Sequence, residues 1–397
     1  MRLDAVCSII VDCEHKTAPT DEAGEYFAVG TPAMRDHRID YSKARRISHK
    51  TFEAWTRRLT PRAGDLLFAR EAPVGPIVRL PDTANVAPGQ RTVLLRPDPK
   101  VVQSAFLYYA LAAPAAQAGL IVKAAGSTVH HLNVPDIKSF DVWVPSLPEQ
   151  QAITEVLSAL DDKIAANTSL VATTLELADK LFLLQPGESS TRLGDVVSVV
   201  KGNSYRSADL APSDHALVTL KSITRDGRYA VEGIKQFIGR YKPQQIISPG
   251  EVVVAQTDLT QAAEVVGRAV RVPASDEYTL IASLDLAIVR PLDGVDQTYL
   301  LGLLRQPRFR AHCLSNTTGT TVLHLRSGAI EAFMAQIADS ATQQAYARAA
   351  LPLHQTADSA NAENRVLAAT RDALLPHLMS GKLRVRDVEA AASEAGA

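Results

Sequence analysis

Two patterns of apolar residues alternate along the 397-residue chain. Short β-branched or alternating runs, bounded by glycine and proline, predict strands at residues 65–69, 91–96, 251–255 and 285–290. Helical stretches interrupt these runs at 104–113 and 297–304. After each set of strands comes a long helical segment, at 147–184 and 340–379. The pattern predicts mixed α/β globules, each followed by a long helix.

The first long segment predicts a coiled-coil helix. Ser146 stands three residues before Glu149 with Pro148 between them, an arrangement typical of a helix start. The helix can then run to about Leu184, a length of roughly 55 Å at 1.5 Å per residue. A seam with a 4-3 rhythm needs a partner helix. The seam residues are Ile153, Leu157, Leu160, Ile164, Asn167, Val171, Thr174, Ala178 and Leu181.

The second long segment is a degraded copy of the first. We expect Pro352 to kink or interrupt it, because proline removes an amide and clashes with the preceding turn. The two helices are expected to pair antiparallel, with the polar Asn167 near the middle fixing the register. An ordinary amphipathic helix packed on its own domain is the alternative. The equivalent seam residues are Tyr346, Ala350, Leu353, Ala357, Ala360, Asn364, Leu367, Arg371 and Leu374.

The order of strands and helices and several sequence motifs occur twice in the chain, with a period near 190 residues. Gly64-Asp65-Leu66-Leu67-Phe68-Ala69 returns as Gly250-Glu251-Val252-Val253-Val254-Ala255. The stretch from Gly126-Ser127-Thr128-Val129 to Gln150-Gln151 returns, at an offset of 193, as Gly319-Thr320-Thr321-Val322 to Gln343-Gln344. Single matches are common turn signals, but their shared order indicates an internal duplication.

The fold class that follows is α/β, of the mixed α+β kind, with an internal pseudo-twofold repeat. Two tandem globules are separated by long helices that pair as an antiparallel coiled coil. The expected divisions are a first globule at 1–146, a central spacer helix at 147–188, a second globule at 189–338, a C-terminal spacer helix at 339–386 and a flexible tail at 387–397. With 46% apolar residues, the chain can fill a core in each globule.

Charge changes the picture once it is divided along the repeat. The chain carries 42 Lys and Arg against 43 Asp and Glu, which argues against tail-driven binding of nucleic acid. Residues 1–146 carry 18 basic and 15 acidic side chains, and 189–338 carry 16 and 14. Residues 147–188 carry only 2 basic side chains against 7 acidic ones. The globules are therefore basic, whereas the spacer is acidic.

The basic residues of the globules cluster with aromatic and hydrogen-bonding groups. Such a mixture suits nucleic acid, because cations displace counterions from phosphate and polar groups reach base edges. A solvated surface rich in lysine and arginine is the alternative. The candidate DNA-binding residues are Arg38, Lys43, Arg45, Arg46, Lys50, Arg57, Arg70, Gln90, Arg91, Ser127, Thr128 and His130 in the first globule, and Lys201, Tyr205, Arg206, Lys221, Arg225, Arg228, Lys242, Gln256, Thr257, Thr320 and Thr321 in the second.

No catalytic motif is visible in the sequence. A phosphate-binding loop, a zinc-protease helix, a nucleophile elbow and a dinucleotide-binding glycine motif are all missing. Cys7, Cys13 and His15 have no suitably spaced fourth ligand, so we expect no metal site. The three cysteines are too few for a disulfide framework, and neither a signal peptide nor a bilayer-spanning run is seen. We therefore expect reduced thiols, no membrane association and a cytoplasmic location.

Several motifs resemble the DNA-specificity subunits of type I restriction-modification systems. The resemblance covers essentially the whole chain and is most specific around the first long helix. The motifs are Gly64-Asp65-Leu66-Leu67-Phe68, Arg70-Glu71-Ala72-Pro73-Val74-Gly75, Gly89-Gln90-Arg91, Leu94-Leu95-Arg96-Pro97, the run from Val144 through Leu147-Pro148-Glu149-Gln150-Gln151 to Ile153, Leu157-Ser158-Ala159-Leu160-Asp161-Asp162-Lys163-Ile164, and the ending from Leu374 to Val385.

The resemblance implies a function without catalysis in this chain. Each globule would be a target-recognition domain that reads one half of a split double-stranded DNA sequence. The paired helices would set the gap between the halves and dock two methyltransferase subunits, which hold S-adenosylmethionine and methylate adenine. A restriction subunit, a translocase-nuclease that uses ATP and Mg²⁺, would join through them. No cofactor is expected in this chain.

The second copy departs from the family pattern in its globule and in its helix start. Asp339-Ser340-Ala341-Thr342-Gln343-Gln344 replaces the Leu-Pro-Glu-Gln-Gln start, and Gln256-Thr257-Asp258 and Ser283-Leu284-Asp285 replace two motifs of the globule. These changes bring into question whether the second globule docks and reads DNA as the first does. Two further functions stay open: a pseudo-symmetric scaffold for a methyltransferase or nuclease without DNA contact, and a nuclease or methyltransferase in its own right.

Overall fold

A computed structural model describes residues 1–35, 38–81, 85–124, 130–185, 187 and 189–385. The chain divides into two compact units. Unit 1 comprises Met1–Ala165 and Asn364–Ala397, and unit 2 comprises Ala166–Glu363. Each unit therefore contains a globular part and a stretch of both long helices.

Unit 1 is built on a four-stranded antiparallel sheet and a smaller three-stranded sheet. The larger sheet has the strand order β1-β9-β6-β7, and the smaller one β5-β2-β8, in which β2 pairs antiparallel with β5 and parallel with β8. The elements are α1 (Leu3–Val6), β1 (Cys7–Asp12), β2 (Tyr26–Val29), β3 (Met34–Arg35), β4 (Arg38–Ile39), β5 (Arg45–Ile47), α2 (His49–Thr56), β6 (Leu66–Arg70), β7 (Val74–Arg79), β8 (Val86–Pro88), β9 (Thr92–Pro97), α3 (Ser104–Ala112), α4 (Pro114–Lys123), α5 (Val134–Lys138) and the start of α6 (Leu147–Leu183).

Unit 2 repeats the topology of these two sheets. Its larger sheet has the order β11-β18-β14-β16, and its smaller sheet β13-β12-β17, again with one antiparallel and one parallel neighbour. The predicted duplication is confirmed. The elements are β10 (Ser189–Arg192), β11 (Val197–Lys201), β12 (His215–Val218), β13 (Lys235–Gln236), β14 (Val252–Ala255), β15 (Thr257–Asp258), β16 (Ala269–Arg271), β17 (Thr279–Ala282), β18 (Leu286–Pro291), α7 (Gln297–Leu304), α8 (Pro307–Ser315), β19 (Thr317–Thr318), β20 (Leu323–Leu325), β21 (Met334–Ile337) and α9 (Ser340–Met379).

The central strands of the larger sheet of each unit are buried on both faces. In β6, Leu66 and Phe68 belong to one hydrophobic cluster, whereas Leu67 and Ala69 belong to another on the opposite face. Successive side chains of a strand point to opposite faces, so a doubly covered strand is apolar at every position. In unit 2, β14 divides its side chains between two clusters in the same way. The uninterrupted apolar runs of the sequence follow from this double cover.

One buried glutamine joins the long helix of each unit to its globular part. Gln150 of α6 accepts a hydrogen bond from Gln103 N (2.8 Å) and donates to Val101 O (3.1 Å) and Pro145 O (2.9 Å). Its counterpart in α9 makes the same three bonds at residues shifted by 193. Gln343 accepts from Asp296 N (2.8 Å) and donates to the carbonyl oxygens of Gly294 (3.3 Å) and Ala338 (2.8 Å). The second copy thus keeps the joint although it lacks Leu-Pro-Glu.

The long helices run antiparallel in each unit. In unit 1, Ile153 and Leu157 share a cluster with Leu375 and Leu378. In unit 2, Asn167 Nδ2 donates to Glu363 (2.7 Å), Val171 packs with Ala357 and Ala360, and Tyr346 Oη donates to Ala178 O (3.3 Å). Of the predicted seam residues, the buried ones are Ile153, Leu157, Asn167, Val171, Thr174, Ala178, Tyr346, Ala350, Ala357 and Ala360. The half-buried ones are Leu160, Ile164, Leu181, Leu353, Asn364, Leu367, Arg371 and Leu374.

The second helix continues through Pro352, so the expected interruption is wrong, whereas a kink at this proline stays a prediction. α9 is continuous from Ser340 to Met379. Pro352 is exposed, and so is Arg348, whose carbonyl has no helical donor because the proline stands four residues later. Water can satisfy a carbonyl on the exposed side, so the helix continues.

Within the described residues, no single helix is long and apolar enough to cross a membrane. Only α3 and α4 taken together reach the necessary length and apolar composition, and the chain bends by 69° between them.

Candidate nucleic-acid interface

The turn between β8 and β9 is held by close backbone packing. A Cβ atom on Gly89 would collide with the backbone of Val29 and Gly30, so only glycine fits there. Gly89 N donates to Val29 O (2.8 Å), and the buried Thr92 hydroxyl donates to Gly89 O (2.7 Å). These contacts fix the backbone from which the next two side chains project.

Arg91 follows this turn in an unusual backbone conformation. Its φ is +69°, a left-handed value that non-glycine residues seldom adopt. Its carbonyl oxygen accepts a hydrogen bond from Arg70 N (3.0 Å), which ties the turn to strand β6. Gln90 and Arg91 are both exposed, so the rigid turn presents two neighbouring polar side chains to solvent.

Four separate segments of unit 1 meet at a groove beside this turn. Its cavity volume is about 240 Å³. The groove brings together four of the predicted DNA-binding residues, Lys43, Arg45, Gln90 and Arg91, although they lie up to 48 positions apart in the sequence. Thr17, Gly30 and Thr31 are further polar parts of the lining. We refer to this feature as the unit 1 groove.

The electrostatic character of the unit 1 groove is cationic. Among the described residues, Lys43 and Arg45 form no ion pair within 4.0 Å. Arg91 Nε lies 3.4 Å from a carboxylate oxygen of Glu71, and its side chain is still 44% exposed. Lys43 acts on the more distant carboxylate of Asp40, whose pKa is lowered mainly by a hydrogen bond from Ser42. Two exposed cations without a direct ion pair in the described part of the chain favour an anionic ligand such as a phosphate backbone.

Arg70 does not reach this groove. Its side chain is only 12% exposed and lies 3.3 Å from Asp12, while Nη1 donates to Leu132 O (3.1 Å) and Nη2 lies 3.3 Å from His15 Nδ1. Arg70 thus fixes the neighbouring loop of unit 1 rather than facing solvent.

The other predicted residues of unit 1 lie elsewhere on its surface. Arg46 donates to Glu22 O (3.1 Å) and stacks 5.8 Å from the centre of the Phe27 ring, and Arg57 pairs with Glu14 at 2.9 Å. Arg38, Lys50 and His130 are exposed. Ser127 and Thr128 lie outside the described residues.

Unit 2 has the same turn but different side chains on it. Ser283 N donates to Val218 O (2.9 Å), as Gly89 N does to Val29 O. The next two residues are Leu284, which is 52% exposed, and Asp285. Unit 2 therefore carries an apolar and an acidic side chain where unit 1 carries Gln90 and Arg91.

Two predicted residues of unit 2, Gln256 and Thr257, lie near this turn, and Gln256 is half-buried. Thr257 is buried, and its hydroxyl donates to Asp285 (2.9 Å). Gln256 N donates to Asp285 O (2.7 Å), and Gln256 O accepts from Leu325 N (2.7 Å). These bonds support the turn of unit 2 and leave Thr257 without access to solvent.

The remaining predicted residues of unit 2 are mostly exposed. Arg225 pairs with Glu264 (3.0 Å), Arg228 pairs with Asp226, and Tyr205 accepts a hydrogen bond from Lys235 Nζ (3.3 Å). The exposed predicted residues without such a contact are Lys201, Arg206, Lys221, Lys242, Thr320 and Thr321.

The sequence patterns do not identify Thr17 as part of the groove. They also do not identify Gln150 and Gln343 as the residues that join the long helices to the globular parts. Thr17 follows β1 and carries no charge or motif, so nothing in the sequence connects it with Gln90. The glutamines do give a signal, since Gln150-Gln151 and Gln343-Gln344 match at an offset of 193. That match indicates duplication, but it does not by itself indicate a buried contact.

In the part of the chain that the structure describes, no group of three or more His, Cys, Asp or Glu side chains could hold a metal ion. Burial raises the pKa of the Cys7 and Cys313 thiols to about 12 and also raises that of Cys13. The described cysteines are therefore protonated thiols at neutral pH, whereas thiolate is the form that binds metals.

Comparisons with known proteins agree on one family. Residues 2–173 match the family model described as "Type I restriction modification DNA specificity domain". A curated relative, the type I restriction enzyme MjaIX specificity subunit of Methanocaldococcus jannaschii, is 23% identical over 87% of this chain and 83% of its own length. The crystal structure of the type I restriction-modification system S subunit from M. genitalium has a TM-score of 0.62 at 15% identity, over 96% of this chain and 95% of that one. This last likeness concerns the fold.

Proposed function

We propose that this chain, whose resemblance to the specificity subunits of type I restriction-modification systems is confirmed by these comparisons, reads a bipartite double-stranded DNA target. Subunits of this kind recognise DNA and are not enzymes themselves. Unit 1 would read one half of the target with the unit 1 groove and its rim. Unit 2 would read the other half.

The observation that carries the proposal is the convergence at the unit 1 groove. Lys43, Arg45 and the Gln90-Arg91 pair come from different segments and meet on one exposed surface. Lysine and arginine neutralise phosphates and position the duplex, whereas glutamine and arginine hydrogen-bond to base edges in the major groove. A packed turn that presents both kinds of group supports sequence-specific binding.

Unit 2 would read its half-site with other side chains. Leu284 and Asp285 replace the polar pair of the turn, so base contacts are proposed to come from its exposed threonines, Thr320 and Thr321. Phosphate contacts would come from the exposed lysines Lys201, Lys221 and Lys242. The shared topology of the two units supports a shared task with a different target sequence.

The partners are part of the proposal. The chain would dock two methyltransferase subunits, and through them restriction subunits, along its long helices. Support comes from the acidic composition of residues 147–188 and from exposed leucines on α6, Leu170 and Leu177, which are 41% and 45% exposed. S-adenosylmethionine, ATP and Mg²⁺ would be bound by those partners, and a cytoplasmic location stays a prediction.

The test removes charge from the unit 1 groove. The double variant Lys43→Ala/Arg45→Ala should weaken binding of the full chain to duplex DNA of any sequence, because these cations would bind phosphates. The plot of log K against log salt should flatten by about 0.9 for each phosphate that the variant no longer neutralises. Fluorescence anisotropy with a labelled duplex at a series of salt concentrations measures both quantities.

The matched control is Lys123→Ala/Lys138→Ala, which removes two exposed cations of unit 1 on α4 and α5. It changes the net charge equally and should leave the salt slope unchanged. Equal slopes for both double variants and the wild type would contradict a phosphate-binding role of the groove. A wild-type chain that binds a methyltransferase but no DNA would favour the scaffold function.

A further inference from the structure

We propose that Gln90 reads an adenine in the major groove and that Thr17 is the residue that orients its amide for this purpose. The inference rests on the proposed function and assigns a base to one position of the target. It also makes Thr17, which no DNA-binding motif includes, a positioning residue for specificity.

The contact that suggests this role joins two loops of unit 1. The Thr17 hydroxyl donates a hydrogen bond to Gln90 Oε1 at 3.3 Å, across 73 residues of sequence. Both side chains are exposed at the mouth of the unit 1 groove. The bond therefore lies at the surface where a ligand would approach and contributes little to the core.

In the structure the bond holds the amide with Oε1 toward Thr17; because a hydroxyl can also accept from Nε2, Thr17 fixes the position of the amide rather than choosing between its two flips. A glutamine side chain presents a carbonyl oxygen with two lone pairs and an amino group with two donors. With Oε1 turned toward Thr17, one lone pair is occupied, and the other remains beside the Nε2 donors. The exposed edge then offers one acceptor and one donor side by side.

Among the four bases, adenine complements this edge best. In the major groove adenine presents an N7 acceptor next to an N6 donor, and glutamine pairs with both. Guanine presents two adjacent acceptors, N7 and O6, so one of them would face Oε1. Cytosine presents only its N4 donor, and thymine presents an acceptor beside a methyl group. An amide held in this position therefore pairs best with adenine, because it offers one acceptor beside one donor.

The backbone beneath Gln90 is as constrained as its amide. Gly89 is locked against Val29 and Gly30, and Arg91 holds its left-handed φ of +69°. The cations Lys43 and Arg45 line the same groove, where they can bind the phosphates that flank the base. A rigid base-reading group between phosphate-binding groups loses little conformational entropy on binding.

The duplicated unit supplies an internal comparison. At the position of Gln90 it has Leu284, which has no hydrogen-bonding group and is 52% exposed. The same turn is thus kept in both units, but only in unit 1, among the described residues, does it carry an amide. Adenine reading at this turn is therefore assigned to one half of the target.

The experiment selects bound sequences from a duplex library with randomised positions, using the full chain. The wild type should enrich an adenine at one position, and Gln90→Ala should lose that preference by roughly tenfold or more while the other positions persist. Gln90→Glu should change the preference at the same position from adenine to cytosine, because a carboxylate accepts from cytosine N4. Enrichment of the same adenine by Gln90→Ala would overturn the inference.

A second measurement separates orientation from folding. Thr17→Val should weaken the adenine preference, whereas Thr17→Ser, which keeps the hydroxyl, should retain it. Replacing the selected adenine by 7-deazaadenine removes N7 and should weaken binding of the wild type but not of Gln90→Ala. Equal losses in both proteins would overturn the contact with Gln90. A wild-type chain that enriches no sequence would instead contradict the proposed function itself.

Discussion

Gln150 and Gln343 show how much structure a single amide can organise. Each is almost fully buried and satisfies three backbone groups that no helix or strand supplies with a partner. A buried backbone group without a hydrogen-bond partner lowers the stability of the folded protein by about 1–3 kcal/mol. Replacing such a glutamine would leave several of these groups without a partner. The two glutamines are therefore structural residues.

Replacing Gln343 by Ala should destabilise the protein by about 2 kcal/mol or more, because Asp296 N, Gly294 O and Ala338 O lose their partner. Gln344→Ala removes the same side chain from the neighbouring, exposed position and should change stability by about 0.5 kcal/mol or less. Urea denaturation followed by circular dichroism compares the two variants. Equal midpoints would contradict the role of Gln343.

Residue types are easier to predict from the sequence than residue partners. The basic clusters of unit 1 include both Arg45 and Arg70, yet Arg45 lines the groove and Arg70 is held by Asp12. Sequence shows that a side chain is cationic, but the fold decides whether a carboxylate lies within reach. Thr17 escapes prediction for the same reason, since its contact with Gln90 spans 73 residues.

At the scale of elements, periodicity predicts the long helices and the central strands well. The expected helix at 147–184 is Leu147–Leu183, and the one at 297–304 is Gln297–Leu304. The first has an apolar seam along its length, and the second is a continuous apolar run that is buried from Tyr299 to Leu304. Short strands such as Lys235–Gln236 have no such rhythm, because their pairing depends on distant strands rather than on local pattern. The effect of Pro352 is not predictable from periodicity. How much a proline destabilises a helix depends on whether the carbonyl that it leaves without a donor is exposed to water, and the sequence does not show this exposure.

The middle of α9 carries a histidine that should make stability depend on pH. His354 is 4% exposed, and its Nε2 has no hydrogen-bond partner among the described residues. Burial, reinforced by the charges of Arg305 and Arg271 and opposed by Asp179, lowers the pKa of His354 to about 4. The imidazole is therefore neutral in the folded protein at pH values where it is protonated in the unfolded chain.

The sign of the pH effect follows from this difference. Between pH 6.5 and about 4 the unfolded chain binds a proton that the folded chain does not, so stability falls as the pH is lowered through that window. At pH 5 the loss should be on the order of 2 kcal/mol relative to pH 7. His354→Gln, which cannot titrate, should lose correspondingly less in urea denaturation at the two pH values. An identical loss in wild type and variant would contradict the lowered pKa.

At the scale of the whole molecule, charge and apolar surface are divided between tasks. The regions 1–146 and 189–338 carry an excess of basic side chains, whereas 147–188 carries an excess of acidic ones. On α6, Leu170 and Leu177 are exposed, and Leu184, seven residues further on and directly after the end of the helix, is 72% exposed. A stripe with a seven-residue spacing on an acidic helix suits a protein partner better than DNA.

Polar substitution of the exposed leucines of α6 should weaken binding of the protein partner without weakening binding of DNA. The variant Leu170→Gln/Leu177→Gln should reduce co-purification of methyltransferase subunits at least tenfold while leaving duplex binding unchanged, because apolar contacts at interface centres dominate affinity. Leu259→Gln/Leu292→Gln changes two exposed leucines elsewhere in unit 2 and serves as the control. Undiminished co-purification of the stripe variant would place the docking surface elsewhere.

The hydrogen bonds of Gln150 and Gln343 would allow one globular part to be exchanged for another during evolution. Each amide bonds only to main-chain atoms, which are the same whatever side chains the neighbouring residues carry. A recombination event that replaced the gene segment for one globular part would therefore leave its attachment to the helix intact, provided the backbone path were kept. New specificities can in this way arise by exchange of segments, without a matching set of mutations at the joint.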